Sequence, residues 1–149
     1  MRAVVQRVSQ ASVSVDGNII AAIEQGLLVY LGVAVDDGDA DLSYIVDKVR
    51  HLRIFPDESD RMNLDVAQGG GNVLVVSAFT VQADARQGRR PSFEGAAPPD
   101  RASVLYELFC DSLVRNGLAV QRGSFGAMMD VHSVNAGPVC ILLDSRRLF

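Results

Sequence analysis

Residues 133–143 read SVNAGPVCILL, a strand-like stretch that is broken at its centre. The apolar residues on both sides of its centre favour a β-strand, but Gly137 and Pro138 interrupt it. Proline cannot donate a hydrogen bond to a neighbouring strand, and glycine weakens a strand interior. The sequence therefore predicts an irregular backbone inside a buried strand, either as a bulge or edge turn or, where other stretches support it, as a functional segment.

The composition is typical of one compact domain that spans residues 1–149. Of the 149 residues, 48% are hydrophobic, and a chain of this length can bury roughly 68–70% of its unfolded surface. The net charge of −4 argues against a generally basic surface that binds nucleic acid without sequence preference, but it allows a local basic patch. Because the chain has no run of about 18 apolar residues, we expect a soluble cytoplasmic protein that does not enter a membrane.

The cysteines and histidines do not suggest metal chemistry. Cys110 and Cys140 have apolar neighbours, and in a cytoplasmic protein this favours two buried thiols over a disulfide. His51 and His132 are the only histidines, and neither has the spacing of a zinc or iron site. We therefore expect no metal and no cofactor.

The rest of the chain predicts an α+β fold. Residues 2–15 alternate between apolar and polar, and Asp16-Gly17 after them predicts a β-hairpin. Residues 26–33 and 73–79 are nearly continuously apolar, which is typical of strands covered on both faces. Residues 54–72 contain Pro56 and three consecutive glycines and are predicted to form a loop.

Two helices are expected to cover the sheet. The first is predicted at residues 39–53 with Asp39 as its cap, and the second at residues 100–116 with Asp100 as its cap. The apolar spacing of the second helix predicts five residues that face inward: Val104, Leu105, Leu108, Phe109 and Leu113. The expected architecture is a mixed, mostly antiparallel sheet with two long helices.

Two side chains are candidate nucleophiles. Thr80 follows a buried strand, where a rigid backbone can present it to a cleft, but no general base lies near it in sequence. A structural or hydrogen-bonding role is therefore favoured for Thr80, with a nucleophilic role left open. The apolar neighbours of Cys140 favour packing over reactivity in the same way.

A run of arginines is the clearest candidate for binding an anion. Arg86, Arg89 and Arg90 lie between residues 82 and 99 in a long irregular segment that is rich in glycine and proline. Guanidinium groups bind phosphate oxygens through paired hydrogen bonds, so the run suits contacts with phosphate or RNA. A solvated loop, in which arginine pairs with Asp84 or Glu94, explains the same pattern equally well.

Taken together, these stretches resemble the D-aminoacyl-tRNA deacylases, also called D-tyrosyl-tRNA deacylases. The resemblance covers essentially the whole chain. The matching segments are QRV at 6–8, ASV at 11–13, GLLV at 26–29, LGV at 31–33, RIF at 53–55, MNL at 62–64, VLVVS at 73–77, RPSF at 90–93, PDRA at 99–102, VN at 134–135 and GPV at 137–139.

The resemblance implies a homodimeric enzyme that hydrolyses the ester between tRNA and a D-amino acid or glycine, including glycine mischarged on tRNA-Ala. It implies that Gly137 and Pro138, joined by a cis bond, enter the partner's pocket. There their main-chain carbonyls would capture the substrate amino group and exclude an L side chain. The terminal 2′-hydroxyl of tRNA would assist the attack, in place of a side-chain nucleophile.

The resemblance also assigns roles to individual positions of this chain. Ser77, Phe79 and Thr80 would form the catalytic segment, and Arg86, Arg89 and Arg90 are expected to contact tRNA. Ala78, Val139 and Cys140 would join Gly137 and Pro138 in binding the substrate.

Two of these positions depart from the family pattern. The family motif Ser-Gln-Phe-Thr-Leu reads SAFTV at residues 77–81, and Gly-Pro-Val-Thr reads GPVC at residues 137–140. Ala78 removes an amide, and Cys140 replaces a hydroxyl with a weaker hydrogen-bonding thiol. Two alternatives therefore remain open: a tRNA-binding dimeric module with weakened catalysis, or a conventional esterase that uses Thr80 or Cys140.

Overall fold

The computed structural model describes residues 1–148, so Phe149, the last residue of the expected domain, lies outside the described residues. The fold is mixed α+β, as predicted. In chain order, the elements are β1 (Arg2–Val15), β2 (Asn18–Ile23), β3 (Gly26–Gly32), α1 (Asp39–His51), β4 (Phe55–Pro56), β5 (Met62–Leu64), β6 (Asn72–Ser77), a single 3-10 turn (Phe79–Gln82), α2 (Pro99–Arg115), β7 (Val120–Arg122) and β8 (Asp130–Asp144).

The main sheet has the strand order β2-β1-β3-β6-β7, and β8 also pairs with β1. Strand β1 runs antiparallel to β2, β3 and β8, whereas β3–β6 and β6–β7 are parallel pairs. This confirms the prediction of a mixed, mostly antiparallel sheet. The prediction of a loop at residues 54–72 was incomplete, because β4 and β5 form a small two-stranded sheet there.

The hairpin predicted at Asp16-Gly17 connects β1 to β2. Both residues have positive φ angles, 50° at Asp16 and 78° at Gly17. A two-residue turn with two positive φ angles matches the right-handed twist of the flanking strands, and aspartate and glycine adopt that conformation readily. Local sequence alone was therefore sufficient to locate this turn.

Strand β3 is covered on both faces, as its continuous apolar sequence predicted. Leu27, Val29 and Leu31 belong to the core beneath the two helices. Leu28, on the opposite face, belongs to a second core together with Val13 of β1. The second core forms because the distal halves of β1 and β8, together with β2, fold over the outer face of β3 and β6.

Both helices begin without the caps that were predicted. The cap of α1 is Gly38, whose N–H donates to a side-chain oxygen of Asp41 at 3.0 Å, so Asp39 does not cap it. Asp41 also accepts a hydrogen bond from the hydroxyl of Ser145, and this bond lowers the pKa of Asp41. Helix α2 begins at Pro99, a residue type suited to the first helical position, so Asp100 lies in its first turn.

The buried face of α2 differs from the predicted one at two positions. Leu105, Phe109 and Leu113 are buried as predicted, but Val104 is 59% exposed and Leu108 is 38% exposed. The remaining inward positions are filled by Ala102, Tyr106 and Cys110. The buried stripe is rotated toward Tyr106, whose hydroxyl donates to the carbonyl of Val75 at 2.9 Å.

Candidate functional site

The first part of the predicted site lies where β6 ends. Ser77 is the last residue of β6 and pairs with Leu31 of the parallel strand β3. The N–H of Ala78 then donates to the carbonyl of Leu31 at 2.8 Å, and the chain continues into the 3-10 turn. The backbone from Ser77 to Thr80 is therefore presented at the carboxyl end of two adjacent strands. We call residues 77–82 the strand-end segment.

Gln82 fastens the strand-end segment to β3, and sequence reasoning missed it. This glutamine is buried, and its Nε2–H donates to the carbonyl of Gly32 at 2.6 Å. The N–H of Ala83 donates to the carbonyl of Thr80 at 3.0 Å, which closes the turn. Nothing in the local sequence distinguishes Gln82 from a solvent-exposed glutamine, because its acceptor lies 50 residues earlier in the chain.

Thr80 is exposed at this segment. Within residues 1–148, no hydrogen bond connects its hydroxyl to a histidine or a carboxylate. A nucleophilic threonine needs a base within hydrogen-bond reach to take its proton. The geometry therefore favours the hydrogen-bonding role for Thr80 over the conventional nucleophile.

Phe79 connects the strand-end segment to the arginine-rich loop. Its ring is 59% exposed and packs edge-on against Phe93, with ring centroids 5.1 Å apart. Two backbone hydrogen bonds of 2.8 Å between Asp84 and Ser92 close the loop at its base. The structure thus brings residues 77–81 (SAFTV) into contact with residues 90–93 (RPSF), which the sequence alone does not show to be neighbours.

The three arginines of the loop are not equivalent. Arg86 forms an ion pair with Asp84 through two nitrogens, Nε at 2.9 Å and Nη2 at 2.6 Å from the carboxylate oxygens. These hydrogen bonds lower the pKa of Asp84 and raise the pKa of Arg86. Arg89 and Arg90 are exposed and have no acidic partner within residues 1–148. Only these two loop arginines therefore present an uncompensated charge.

The second part of the predicted site is an irregular segment of β8. Val8 pairs with Asn135 and Gln6 pairs with Cys140, and the four residues between them on β8 leave the ladder. We refer to these four residues, from Ala136 to Val139, as the 136–139 loop. Its peptide bond between Gly137 and Pro138 is cis.

Only glycine fits at position 137. Its φ angle is 151°, a backbone conformation that residues with a side chain rarely adopt. A Cβ atom at Gly137 would lie 2.7 Å from Cγ2 of Val139 and 2.9 Å from its backbone nitrogen. The loop is therefore a bulge that depends on this glycine.

Arg7 holds the start of the 136–139 loop and was also missed from sequence. Its Nε–H donates to the carbonyl of Ala136 at 2.8 Å, and its Nη1–H donates to the carbonyl of Ile54. Arg7 lies in the QRV motif, but the two acceptors are 129 and 47 residues away in sequence. A motif alone cannot reveal such contacts.

The prediction of a buried strand around Gly137 and Pro138 was wrong, because both residues are exposed; in this loop only Val139 is buried. The prediction of two buried thiols was right for Cys110, where burial raises the pKa to about 12. It was wrong for Cys140, which is exposed and contacts the Nε2 of Gln6 at 3.9 Å. Cys140 points away from the core that contains its neighbour Val139, and the second core does not extend to this part of β8.

One chain does not bring the two parts of the site together. Ser77 lies on β6 and Cys140 on β8, and β3 and β1 lie between these strands. With about 4.8 Å between neighbouring strands, the lateral separation is roughly 14 Å. Within one chain, the strand-end segment and the 136–139 loop are therefore too far apart to line the same small pocket.

A cleft with a volume of about 610 Å³ lies beside the strand-end segment. Of the predicted site residues, only Arg86 lines it, together with Gln82 and Asp84. Two arginines that line the cleft are neutralised by ion pairs, since Arg86 pairs with Asp84 and Arg2 pairs with Asp144 at 2.7 Å. This cleft therefore offers no uncompensated charge from these pairs to a ligand.

Nowhere within residues 1–148 do three or more His, Cys, Asp or Glu side chains come together as potential metal ligands. None of the helices in the same range combines the length and the apolar character needed to cross a bilayer.

Comparison with known proteins gives full-length matches. The family model described as D-Tyr-tRNA(Tyr) deacylase matches residues 4–144. The chain is 58% identical to a D-aminoacyl-tRNA deacylase of Anaeromyxobacter dehalogenans and 54% identical to one of Syntrophobacter fumaroxidans, in each case over 100% of both chains. A solved structure described as c-Myc DNA Unwinding Element Binding Protein superposes with a TM-score of 0.92 at 40% identity, over 97% of this chain and 98% of that chain. The chain therefore belongs to the D-Tyr-tRNA(Tyr) deacylase family.

Proposed function

We propose that this protein hydrolyses the ester bond that joins a D-amino acid to the terminal adenosine of tRNA. The observation that carries the proposal is the end-to-end match, at 54–58% identity, to relatives named D-aminoacyl-tRNA deacylase. In the reaction, water adds across the ester, the bond between the carbonyl carbon and the ribose oxygen breaks, and free amino acid and tRNA leave. Because the substrate is a tRNA, we assign the activity to the cytoplasm.

The active form is a homodimer in which the 136–139 loop of each chain enters the pocket of its partner. The separation of the loop from the strand-end segment supports this, because both are needed at one substrate. The exposed apolar surface of β8 supports it as well: Val134 is 48% exposed and Leu142 is 57% exposed. In the homodimer the partner chain covers these side chains and removes them from water.

The 136–139 loop distinguishes D-aminoacyl from L-aminoacyl substrates through its backbone. Gly137 and Pro138 are exposed and have no partners on β1, so their main-chain groups are available to a substrate. Carbonyl oxygens there accept hydrogen bonds from the substrate amino group, and the adjacent backbone occupies the space that an L side chain needs. Specificity then comes from exclusion, and glycine passes because it has no side chain. The same reasoning extends the activity to glycyl-tRNA, including glycine mischarged on tRNA-Ala.

The chemical step uses main-chain groups of the strand-end segment. The N–H groups of Phe79 and Thr80 lie in the first turn of the 3-10 segment, where intrahelical acceptors are lacking. Such donors stabilise the negative charge that develops on the ester carbonyl oxygen. The terminal 2′-hydroxyl of tRNA assists the attack, while Ser77 and Thr80 hold the ester by hydrogen bonds. Ala78 is tolerated because the donors are the backbone N–H groups of the two residues that follow it.

The tRNA backbone is contacted by Arg89 and Arg90. Both arginines are exposed and carry uncompensated charge, so they are free to bind phosphate oxygens. Arg86 is engaged by Asp84, and its contribution to tRNA binding is to hold the loop in shape. Cys140 is exposed just after the loop and contributes to substrate binding there, whereas the buried side chain of Val139 contributes by fixing the end of the loop.

The test compares release of amino acid from D-tyrosyl-tRNA and L-tyrosyl-tRNA, with a chelator present throughout. Rapid loss of the D ester alone is the expected result. Loss of neither ester, with tRNA still bound, would instead favour a binding module with weakened catalysis. Loss of both esters, abolished by Thr80→Val, would favour the conventional esterase.

A further inference from the structure

The 136–139 loop is longer than the segment of β1 that faces it. Val8 pairs with Asn135 and Gln6 pairs with Cys140, so one residue of β1 faces four residues of β8. The four residues of the loop have no ladder partners on β1. Since buried backbone groups need hydrogen-bond partners, other contacts have to hold this part of the chain.

The side chain of Asn135 supplies two of these contacts, and both go to Val139. Its Oδ1 accepts a hydrogen bond from the N–H of Val139 at 2.7 Å, and its Nδ2–H donates to the carbonyl of Val139 at 3.0 Å. The pair of contacts defines the orientation of the amide, because the N–H needs an oxygen and the carbonyl needs a donor. The carboxamide thus takes the place of the strand partner that Val139 lacks.

The loop is therefore anchored at both ends. Arg7 binds the carbonyl of Ala136 at its start, and Asn135 binds both backbone groups of Val139 at its end. The side chain of Val139 is itself buried, only 8% exposed, which fixes this end in the core. Gly137 and Pro138 lie between the two anchors and face solvent.

We propose that Asn135 is a positioning residue for stereoselectivity. By holding Val139, its carboxamide sets the position at which Gly137 and Pro138 meet the substrate. The inference rests on the proposed function, in which the backbone of these two residues excludes an L side chain. D and L substrates differ only in which direction the side chain leaves the α-carbon, so a displacement of about 1 Å in the excluding backbone affects both capture and exclusion.

The test replaces a donor while keeping the shape of the side chain. Asn135→Asp keeps the size and one acceptor but loses the Nδ2–H donor to Val139. Asn116→Asp is the matched control, because the Nδ2–H of Asn116 also donates to a backbone carbonyl, that of Ser112 at 2.8 Å, in an exposed position at the end of α2. For each protein, kcat/KM is measured on D-tyrosyl-tRNA and on L-tyrosyl-tRNA.

In Asn135→Asp we expect the ratio of D to L turnover to fall on the order of 10²-fold, the loss that a misplacement of about 1 Å causes. In Asn116→Asp the ratio stays at the wild-type value. A purely structural role would lower the melting temperature and the amount of active enzyme, and would leave this ratio unchanged. An unchanged ratio in Asn135→Asp therefore overturns the inference.

A second variant and a second measurement keep the test decisive. If Asn135→Asp does not fold, Asn135→Ser, which is shorter and cannot reach both groups of Val139, takes its place. In Asn135→Ala, which removes the oxygen that accepts from the N–H of Val139, amide hydrogen exchange at Val139 is expected to be faster than in wild type, and equal exchange would directly contradict the anchoring by Asn135. A wild-type enzyme that hydrolyses both esters equally overturns the proposed function and this role of Asn135 together, whereas a selective wild type with a selective variant overturns only the role of Asn135.

Discussion

The strand-end segment and the 136–139 loop carry the two parts of the candidate site, and they are held in place differently. The strand-end segment continues a regular parallel ladder, and main-chain hydrogen bonds from Ala78 and Ala83 fix most of its path. The 136–139 loop has left its ladder, and the side chains of Arg7 and Asn135 hold it. A segment that is held by main-chain hydrogen bonds tolerates substitution of its side chains. A segment that is held by side chains does not tolerate the replacement of those side chains.

This difference explains why the two departures from the family motif fall where they do. Ala78 lies in the strand-end segment, where its N–H, common to every residue type except proline, makes the structural contact. Cys140 lies just after the loop, where pairing with Gln6 in the ladder has resumed. Neither position supplies a side chain that holds the loop.

Gly137→Ala is expected to have the largest effect, because the new Cβ would collide with Val139 inside the loop. We expect hydrolysis of D-tyrosyl-tRNA to fall by about 10³-fold, somewhat more than the 10²-fold that a 1 Å misplacement causes. The control is Gly117→Ala, since Gly117 also has a positive φ angle but has open space around it. Equal losses in both variants would show that backbone strain alone, rather than the position of the loop, limits activity.

Arg7→Leu removes the two donors that bind the carbonyls of Ala136 and Ile54. We expect about a 10²-fold loss of activity on the D ester and a loss of about 1–3 kcal/mol in the free energy of unfolding. Arg101→Leu is the matched control, because Arg101 also donates to two backbone carbonyls, those of Val35 and Asp37. Both variants should lose stability in denaturant titrations. Comparable activity losses in the two would argue against a special role for the 136–139 loop.

The three arginines of the loop between Asp84 and Ser92 should differ in their contribution to tRNA binding. Replacing both Arg89 and Arg90 with alanine should weaken tRNA binding and make the dependence of log Kd on log salt less steep by about 1–2 units, since each phosphate contact contributes nearly one. Arg86→Ala should leave that slope nearly unchanged, because Arg86 is engaged by Asp84. A salt titration of binding measures the slopes. Identical slopes in wild type and the double variant would show that Arg89 and Arg90 make no phosphate contacts.

Thr80→Val should have the smallest effect. The hydroxyl of Thr80 has no bonded base within residues 1–148, so we expect kcat to stay within about tenfold of wild type, below the loss typical of a general base or nucleophile. The rate of amino-acid release from D-tyrosyl-tRNA checks this. An inactive Thr80→Val with an unchanged melting temperature would identify Thr80 as a nucleophile and give side chains, rather than backbone, the main role in the strand-end segment.

Several predictions from sequence failed for one reason: they assumed that the residues nearest in sequence decide burial and capping. Asp39 and Asp100 are suitable caps by residue type, but α1 begins one residue earlier than a cap at Asp39 requires, and α2 begins two residues earlier than a cap at Asp100 requires. Val104 and Leu108 fit an apolar stripe, but α2 is rotated so that Tyr106 faces β6. Helix rotation depends on the packing of the whole helix, which no local pattern specifies.

Local features were predictable from the amino-acid sequence: the hairpin at Asp16-Gly17, the two helices, the buried strand β3 and the break at Gly137-Pro138. Each depends on conformational preferences or periodicity within a few residues. Three features became apparent only from the folded chain: Arg7 and Asn135 hold the 136–139 loop, Gln82 fastens the strand-end segment, and Cys140 is exposed. These facts depend on strand register and on contacts between distant segments, because the pairing of β1 with both β3 and β8 brings together residues more than a hundred positions apart.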